Sequence, residues 1–122
     1  MEMARKTGRD VTLIAAGEQR DLKTGERIMY ERRPSRRIFA VEDYLGCGAI
    51  VSYMSLPKSG EAIACELAFK ACEERLEEIL LKSFSGQYLV KHRRIRDVEH
   101  AARLNLYDVV PVMRAKKIER FS

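Results

Sequence analysis

Tryptophan is absent from this chain of 122 residues, and cysteine and histidine are scarce. The three cysteines, Cys47, Cys65 and Cys72, are an odd number, which is not the pattern of a disulfide-stabilised secreted domain. With only two histidines beside them, they do not suggest a metal centre, because such a site needs more convergent ligands. The sequence therefore predicts neither a metal nor a cofactor.

Long apolar runs are also missing. No stretch approaches the roughly 20 residues that a helix needs to cross a bilayer. Residues 1–6 lack the apolar core of a secretory signal. These absences predict an intracellular protein, cytoplasmic or nuclear, without membrane association.

Charge, by contrast, is abundant and unevenly distributed. Charged residues make up 34 % of the chain and hydrophobic residues 46 %, which is enough for one buried core. The net charge is +5, with cations concentrated in residues 1–37 and 84–122, whereas residues 59–83 are acidic. We expect a basic flexible arm at 1–9, a single domain at 10–113 and a basic tail at 114–122.

Short apolar runs, rich in β-branched residues and separated by turn residues, predict six strands. Gly25 suits the turn of an initial hairpin, and Pro111 places the last strand at a sheet edge. The runs occupy residues 11–15, 27–33, 37–41, 49–54, 87–95 and 109–113.

The clearest periodic pattern lies in residues 61–82, which contain neither glycine nor proline. Apolar residues recur there at near-helical spacing, and Ser59 is placed to cap the helix start. A shorter helix is predicted at 97–106. The order of elements predicts an α+β fold, with an antiparallel-dominated sheet of about five to six strands and one long amphipathic and one short helix on one face.

Two arginine-rich segments contain the candidate functional residues. Clustered cations repel one another unless they are solvated or meet an anion, and arginine's planar donors match phosphate. Solvated loops are the alternative interpretation of both segments. If the fold brings the segments together, they form one phosphate-binding surface. The candidate residues are Arg32, Arg33, Arg36, Arg37, Lys91, Arg93, Arg94 and Arg96.

This surface favours a small basic nucleic-acid-binding protein that grips the phosphate backbone of DNA or RNA. Aromatic residues are few near the basic segments, which favours a duplex and little base specificity. One alternative is a protein-interaction or adaptor module that uses the acidic face of the 61–82 helix. The other is a small enzyme acting on a phosphate-containing substrate, with His92 as a general base. We assign no catalytic residue, and an enzyme is the less favoured class.

A patch of apolar side chains around the glycine-bearing bend at 43–48 has no evident second helix to cover it. A two-fold pairing of two chains would bury this patch and double the basic surface. The sequence therefore also predicts a homodimer. The patch consists of Phe39, Tyr44, Leu45, Tyr53 and Met54.

Overall fold

The computed structural model describes residues 8–21, 25 and 35–121. In these ranges one antiparallel strand pair precedes the helices and a second follows them, which is an α+β arrangement. In chain order the elements are β1 (Glu18–Asp21), β2 (Ser35–Ile38), α1 (Val41–Ser52), α2 (Gly60–Cys72), a 3₁₀ turn (Glu73–Arg75), α3 (Leu76–Lys82), α4 (Phe84–Lys91), α5 (Ile95–Ala101), β3 (Pro111–Arg114) and β4 (Lys117–Arg120).

The first strand pair lies further along the chain than the sequence predicts. β1 pairs with β2 in antiparallel register, with Glu18 opposite Ile38. Residues 11–15, predicted as a strand, belong to no strand or helix, and the 27–33 strand lies outside the described residues. The strand predicted at 37–41 overlaps β2 only at residues 37 and 38. An apolar β-branched run is therefore not sufficient for a strand where no partner pairs with it.

Helix α1 occupies residues where a bend and a strand were predicted, so both predictions are wrong. Glu42 and Asp43 lie in its first turn, where carboxylates favour a helix start. Gly48 is needed for close packing and not for a bend. A β-carbon there would overlap the carbonyl oxygen of Cys65 and lie 2.7 Å from Cβ of Phe69. The glycine lets α1 and α2 cross closely.

The long helix predicted at 61–82 is confirmed in outline but is divided by the 3₁₀ turn into α2 and α3. Ser59 caps it as predicted, since its Oγ accepts a hydrogen bond of 3.3 Å from the amide of Ala62. Leu76 is buried, as predicted. Leu67, placed by its spacing on the apolar face, is 61 % exposed instead, because α1 crosses α2 on the face of Cys65 and Phe69.

Helix α4 replaces the strand predicted at 87–95. The Ser83 hydroxyl caps it by accepting from the amide of Gly86 at 2.9 Å. Gly86 lies inside α4, where a β-carbon would overlap the carbonyl oxygen of Leu80. The next helix, α5, overlaps the short helix predicted at 97–106 but begins two residues earlier.

A hairpin forms the C-terminal part of the described chain. β3 overlaps the strand predicted at 109–113 and pairs with β4, with Met113 opposite Ile118. Ala115 and Lys116 make the two-residue turn with positive φ of 47° and 65°. The hairpin crosses the domain boundary predicted at residue 113, so residues expected as a tail include a strand.

The core is small. Leu45, Phe69 and Leu76 form its central cluster, and no described side chain is less than 2 % exposed. The single sheet of five to six strands is not seen in the described ranges, where the strands make two separate pairs. Among these residues no helix has the length and apolar character needed to cross a membrane.

The predicted dimer patch is only partly exposed. Leu45 is covered within the core, whereas Phe39 and Tyr53 are 69 % and 57 % exposed. The homodimer stays a prediction.

Candidate functional site

A cavity of about 630 Å³ lies between the segment of residues 9–15, helix α1 and the start of α2. Its volume suits a small organic molecule. The apolar part of its wall comes from Val11, Leu13, Ala15, Val51, Met54, Leu56, Pro57 and Ala62. Polar groups reach it from Arg9, Asp10, Thr12, Tyr44, Lys58, Ser59 and Glu61, and thiols from Cys47 and Cys65.

Lys58 is one of two cationic side chains in this wall. Its Nζ lies 2.5 Å from Oε2 of Glu66, and Nζ of Lys70 lies 2.6 Å from Oε1 of the same carboxylate. Hydrogen bonds from Lys58 and then from Lys70 lower the pKa of Glu66. Lys58 is therefore held in place at the cavity by a carboxylate that it shares with a lysine outside it.

Arg9 is the second cation, and it is exposed at the cavity wall. Its guanidinium has planar donors that fit phosphate or carboxylate oxygens in a bidentate way. Because Arg9 and Lys58 lie in segments far apart in the chain, only the fold brings them to one cavity. Together they give the wall two cations, beside the carboxylates of Asp10 and Glu61.

The helix start at the cavity is already occupied by a carboxylate of the chain itself. A hydrogen bond from its own backbone amide, and then one from Ser59, lower the pKa of Glu61. An anion approaching the start of α2 would therefore meet a negative charge. The cations of the wall, and not the helix start, are the groups that favour anion binding.

The cavity thiols are not equivalent. Sγ of Cys65 donates a hydrogen bond of 2.9 Å to the carbonyl oxygen of Tyr44. Burial, and next the neighbouring Cys47, raise the pKa of the Cys65 thiol. Because the thiolate is the reactive form, Cys65 is not suited to act as a nucleophile at neutral pH.

A buried polar network ties the first strand pair to helix α4. Oε2 of Glu18 lies 2.9 Å from Nη2 of Arg20 and accepts a hydrogen bond of 2.8 Å from the Ser85 hydroxyl. Nη1 of Arg20 donates to the carbonyl oxygen of Gly25 at 3.0 Å, and its guanidinium lies 3.4 Å from the centre of the Phe84 ring. All three charged or polar side chains are buried. The network is therefore a structural connection and not an accessible site.

Two further hydrogen bonds position the segment that forms the cavity wall. The amide of Gly17 donates to Oδ2 of Asp43 at 2.7 Å, which links this segment to the first turn of α1. Nη1 of Arg37 donates to the carbonyl oxygen of Ala16 at 2.6 Å. The end of the 9–15 segment is thus held against α1 and β2.

The structure does not join the two arginine-rich segments. Arg32 and Arg33 lie outside the described residues, and Arg36 and Arg37 are exposed on β2. The strand pair meets α4 near Ser85, whereas the second basic segment begins at the other end of that helix, about 9 Å along its axis. In the described ranges no hydrogen bond or ion pair connects the two segments.

The second basic segment has a structural explanation of its own. Lys91 lies in the last turn of α4, where a cation is favoured by the helix dipole. Nη2 of Arg94 pairs with Oδ2 of Asp97 at 2.6 Å. Arg93 and Arg96 are exposed beside them. This arrangement matches the solvated alternative considered for this segment.

The histidines lie away from the cavity. Nδ1 of His92 lies 2.7 Å from the carbonyl oxygen of Tyr88, and its ring stacks on that tyrosine with centroids 4.0 Å apart. Nε2 of His100 lies 3.5 Å from the hydroxyl of Tyr107. Within the part of the chain that the structure describes, no three histidine, cysteine or acidic side chains converge to form a metal site.

Sequence reasoning missed the cavity. Arg9 was assigned to a flexible arm, and Lys58 was not among the candidate functional residues. No motif marks either position, because the cavity is made by three segments distant in sequence. The one sequence feature that indicates a binding site here is the helix start capped by Ser59. Glu61 in the first turn of that helix, however, places a negative charge where an anion would bind.

Comparison of the amino-acid sequence with known proteins identifies the family to which this chain is similar. The family model of 2-phosphosulpholactate phosphatase matches residues 1–116. A curated relative, the probable 2-phosphosulfolactate phosphatase of Carboxydothermus hydrogenoformans, is 41 % identical over 75 residues. That match covers 60 % of this chain and 32 % of the relative, so the chain spans about a third of the relative's length. No solved structure matches the chain.

These matches overturn the main functional prediction. The nucleic-acid-binding function, based on the arginine-rich segments, is wrong, because the comparisons point to a phosphatase family. They support the alternative of a small enzyme acting on a phosphate-containing substrate. Since the family model covers nearly the whole sequence, the chain belongs to the 2-phosphosulpholactate phosphatase family.

Proposed function

We propose that this chain takes part in hydrolysing the phosphate ester of a small, multiply charged organic acid, with 2-phosphosulfolactate as the reference substrate. The observation that carries the proposal is the family match over residues 1–116. The substrate would bind in the cavity between the 9–15 segment, α1 and α2. The cavity volume of about 630 Å³ is sufficient for a molecule of this size.

The two cations of the cavity wall, Arg9 and Lys58, support this substrate class, and the same wall also contains the carboxylates of Asp10 and Glu61. A phosphorylated sulfonated hydroxy acid carries phosphate, sulfonate and carboxylate groups, all anionic at neutral pH. Arg9 would bind oxygens of one such group through two parallel donors, and Lys58 would supply a compact positive charge elsewhere in the wall. The net charge of +5 would also raise the local concentration of an anionic substrate.

In the reaction, water attacks phosphorus, the ester P–O bond breaks, and the alcohol oxygen of the acid leaves with a proton. Cations beside the phosphoryl oxygens stabilise the charge that they carry in the transition state. Arg9 and Lys58 are the residues of this chain that we propose for that role. About two thirds of the curated relative lies outside its match to this chain, and we propose that further catalytic groups come from such a region.

A pair of lysine variants tests the proposal. Lys58 and Lys70 both bind Glu66, but only Lys58 lines the cavity. Phosphate release from 2-phosphosulfolactate is measured for the wild type, Lys58→Ala and the control Lys70→Ala. We expect Lys58→Ala to lower kcat/KM by about tenfold or more, as for the loss of a charged hydrogen bond. Lys70→Ala should change kcat/KM by less than about twofold.

Calorimetric binding of 2-phosphosulfolactate is measured in parallel. If the wild type binds the substrate without hydrolysing it, and binding is weakened in Lys58→Ala but not in Lys70→Ala, the result would support the cavity as the binding site. It would also indicate that this chain lacks some of the catalytic groups. Neither binding nor turnover by the wild type, or equal losses in both variants, would contradict the proposed site.

A further inference from the structure

A second cavity lies where the start of α1 meets the turn between α3 and α4. Its volume is about 380 Å³, and none of the residues that line it also lines the cavity described above. We refer to this second cavity as the aromatic cleft. Most of its wall is apolar and comes from Phe39, Ala40, Val41, Ile79 and Phe84.

Glu42 is the acidic side chain in the wall of the aromatic cleft. Its Oε2 atom is shielded from solvent and accepts no hydrogen bond from the part of the chain that the structure describes. The hydroxyl groups of Ser83 and Ser85 also line the cleft, but they donate to the Leu80 carbonyl oxygen and to the Glu18 carboxylate instead. A partly hydrated carboxylate without a donor favours a ligand that brings both a positive charge and hydrogen-bond donors.

Two phenylalanine rings of the cleft are largely in solvent, since Phe39 is 69 % exposed and Phe84 is 64 % exposed. The face of an aromatic ring attracts cations, and the planar guanidinium group also stacks on it. One of these rings already carries a guanidinium, because Cζ of Arg20 lies 3.4 Å from the centre of the Phe84 ring. Arg20 is buried and does not line the cleft, so Phe84 keeps further surface for a second contact on the cleft side.

Lys82 is the cationic side chain at the cleft, and its charge is directed elsewhere. Its Nζ lies 2.5 Å from Oε1 of Glu78, which does not line the cleft. Within the described ranges no ion pair joins Lys82 to Glu42. The negative charge of Glu42 therefore has no cation of its own, although Lys82 would repel a bound cation to some extent.

We propose that the aromatic cleft binds an alkylguanidinium group, which packs on the rings of Phe39 and Phe84 while Glu42 balances its charge. A guanidinium can stack on a ring and donate in its own plane to a carboxylate at the same time. It is also more weakly hydrated than an ammonium group, so it loses less on entering a largely apolar wall. Its alkyl stem would contact Val41 and Ile79.

Such a group can belong to an arginine side chain of another polypeptide or to a free guanidine compound, and the recognition chemistry is the same for both. Its charge is opposite to that of the proposed substrate, and the cleft shares no lining residue with the proposed substrate cavity. The inference therefore does not depend on the proposed function.

The experiment compares two probes of similar shape and different charge, N-butylguanidinium and N-butylurea. Each is titrated into the full chain, and two-dimensional NMR of the backbone amides follows binding and locates it. We expect N-butylguanidinium to bind with a Kd of roughly 1–10 mM and to shift the amides of residues 39–42 and 82–85. N-butylurea should bind at least about fivefold more weakly, because it lacks the charge. Equal affinities, or shifts confined to other surfaces, would overturn the inference.

Variants assign the binding to individual side chains. Glu42→Gln should weaken N-butylguanidinium binding at least about fivefold, and Phe39→Leu, which keeps an apolar side chain without a ring, about two- to fivefold. Lys82→Gln should strengthen binding by about twofold, because it removes a like charge. The control Glu119→Gln makes the same charge change on the exposed β4 strand and should leave the Kd unchanged.

Melting temperatures establish that each variant is folded, and the comparison of the two probes on the wild type needs no variant at all. Glu42→Gln binding as tightly as the wild type, or Glu119→Gln losing as much as Glu42→Gln, would overturn the inference.

A blocked tripeptide with a central arginine distinguishes the two sources of the group. A Kd at least about tenfold lower than that of N-butylguanidinium would support an arginine of another polypeptide, because neighbouring backbone groups would add contacts. Equal Kd values would support a free guanidine compound. Binding of neither probe would overturn the proposed site.

Discussion

Glu18 and Arg20, two residues apart on β1, form a buried ion pair in which Oε2 of the glutamate lies 2.9 Å from Nη2 of the arginine. Alternate residues of a strand share a face, so both side chains point towards the N-terminal turn of α4, where Ser85 donates to the same carboxylate oxygen. The pair therefore connects the strand pair to the helical part of the chain across 67 residues of sequence.

We expect Arg20→Met to destabilise the fold, because it removes one partner of the buried ion pair between Arg20 and Glu18, a change that typically costs about 3–5 kcal/mol. Arg36 provides the control, since it lies opposite Arg20 on β2 but is exposed. Arg36→Met should change the free energy of unfolding by no more than about 0.5 kcal/mol. Urea denaturation of both variants measures the difference, and equal losses would show that the ion pair does not hold the strand pair in place.

Two glycines of α1 should respond in opposite ways to alanine. A β-carbon at Gly48 would overlap the Cys65 carbonyl oxygen, so Gly48→Ala should force α1 and α2 apart and cost about 1–3 kcal/mol. Gly46 has nothing within 4 Å of that position, so Gly46→Ala should stabilise the helix by about 0.5–1 kcal/mol. Melting temperatures check both signs, and a Gly48→Ala variant as stable as the wild type would refute the close crossing.

Leu76 and its neighbour Glu77 test the buried face of α3. Leu76 is 8 % exposed and belongs to the core cluster, whereas Glu77 is exposed. Leu76→Asp would bury an unpaired carboxylate at a cost of several kcal/mol, a large part of the roughly 5–15 kcal/mol that stabilises a domain. We expect it to unfold the chain at 25 °C, and Glu77→Ala to leave the circular dichroism spectrum and melting temperature nearly unchanged. Similar melting curves for the two variants would mean that the helix faces are wrongly assigned.

The pKa of Glu78 should depend on two cations of the same helical segment. Hydrogen bonds from Arg75 and then from Lys82 lower this pKa from 4.5 to about 2. Because the folded-state pKa is depressed, any stability that the ionised carboxylate contributes is present above about pH 4.5 and is lost as the pH falls towards 2. Salt reduces this contribution, since the group is partly exposed.

Arg75→Ala should therefore move the Glu78 pKa back towards 4.5, as measured by NMR titration of the carboxyl carbon. Lys117→Ala, on the distant β4 strand, is the control and should leave that titration unchanged. A Glu78 pKa that stays near 2 in Arg75→Ala would contradict the assigned cause.

By itself the sequence determined the helical character of residues 60–82. Its apolar spacing, the Ser59 cap and the absence of glycine and proline all act within a few residues, so no knowledge of packing was needed. The approximate place of the β3 strand was predictable for the same local reason. The basic segments could also be identified from the sequence, but their location at exposed turns and on an exposed strand could not be predicted from it.

Only the tertiary structure decided that residues 41–52 and 84–91 are helices. Short apolar runs suit a strand or a buried helix equally, and the choice depends on the surface against which they pack. Gly48 was predicted to lie in a bend, whereas in the structure it lets α1 pack closely against the backbone at Cys65. The cavity likewise depends on the crossing of α1 and α2 and on the hydrogen bond from Gly17 to Asp43. Because these contacts join residues far apart in the chain, no local pattern records them.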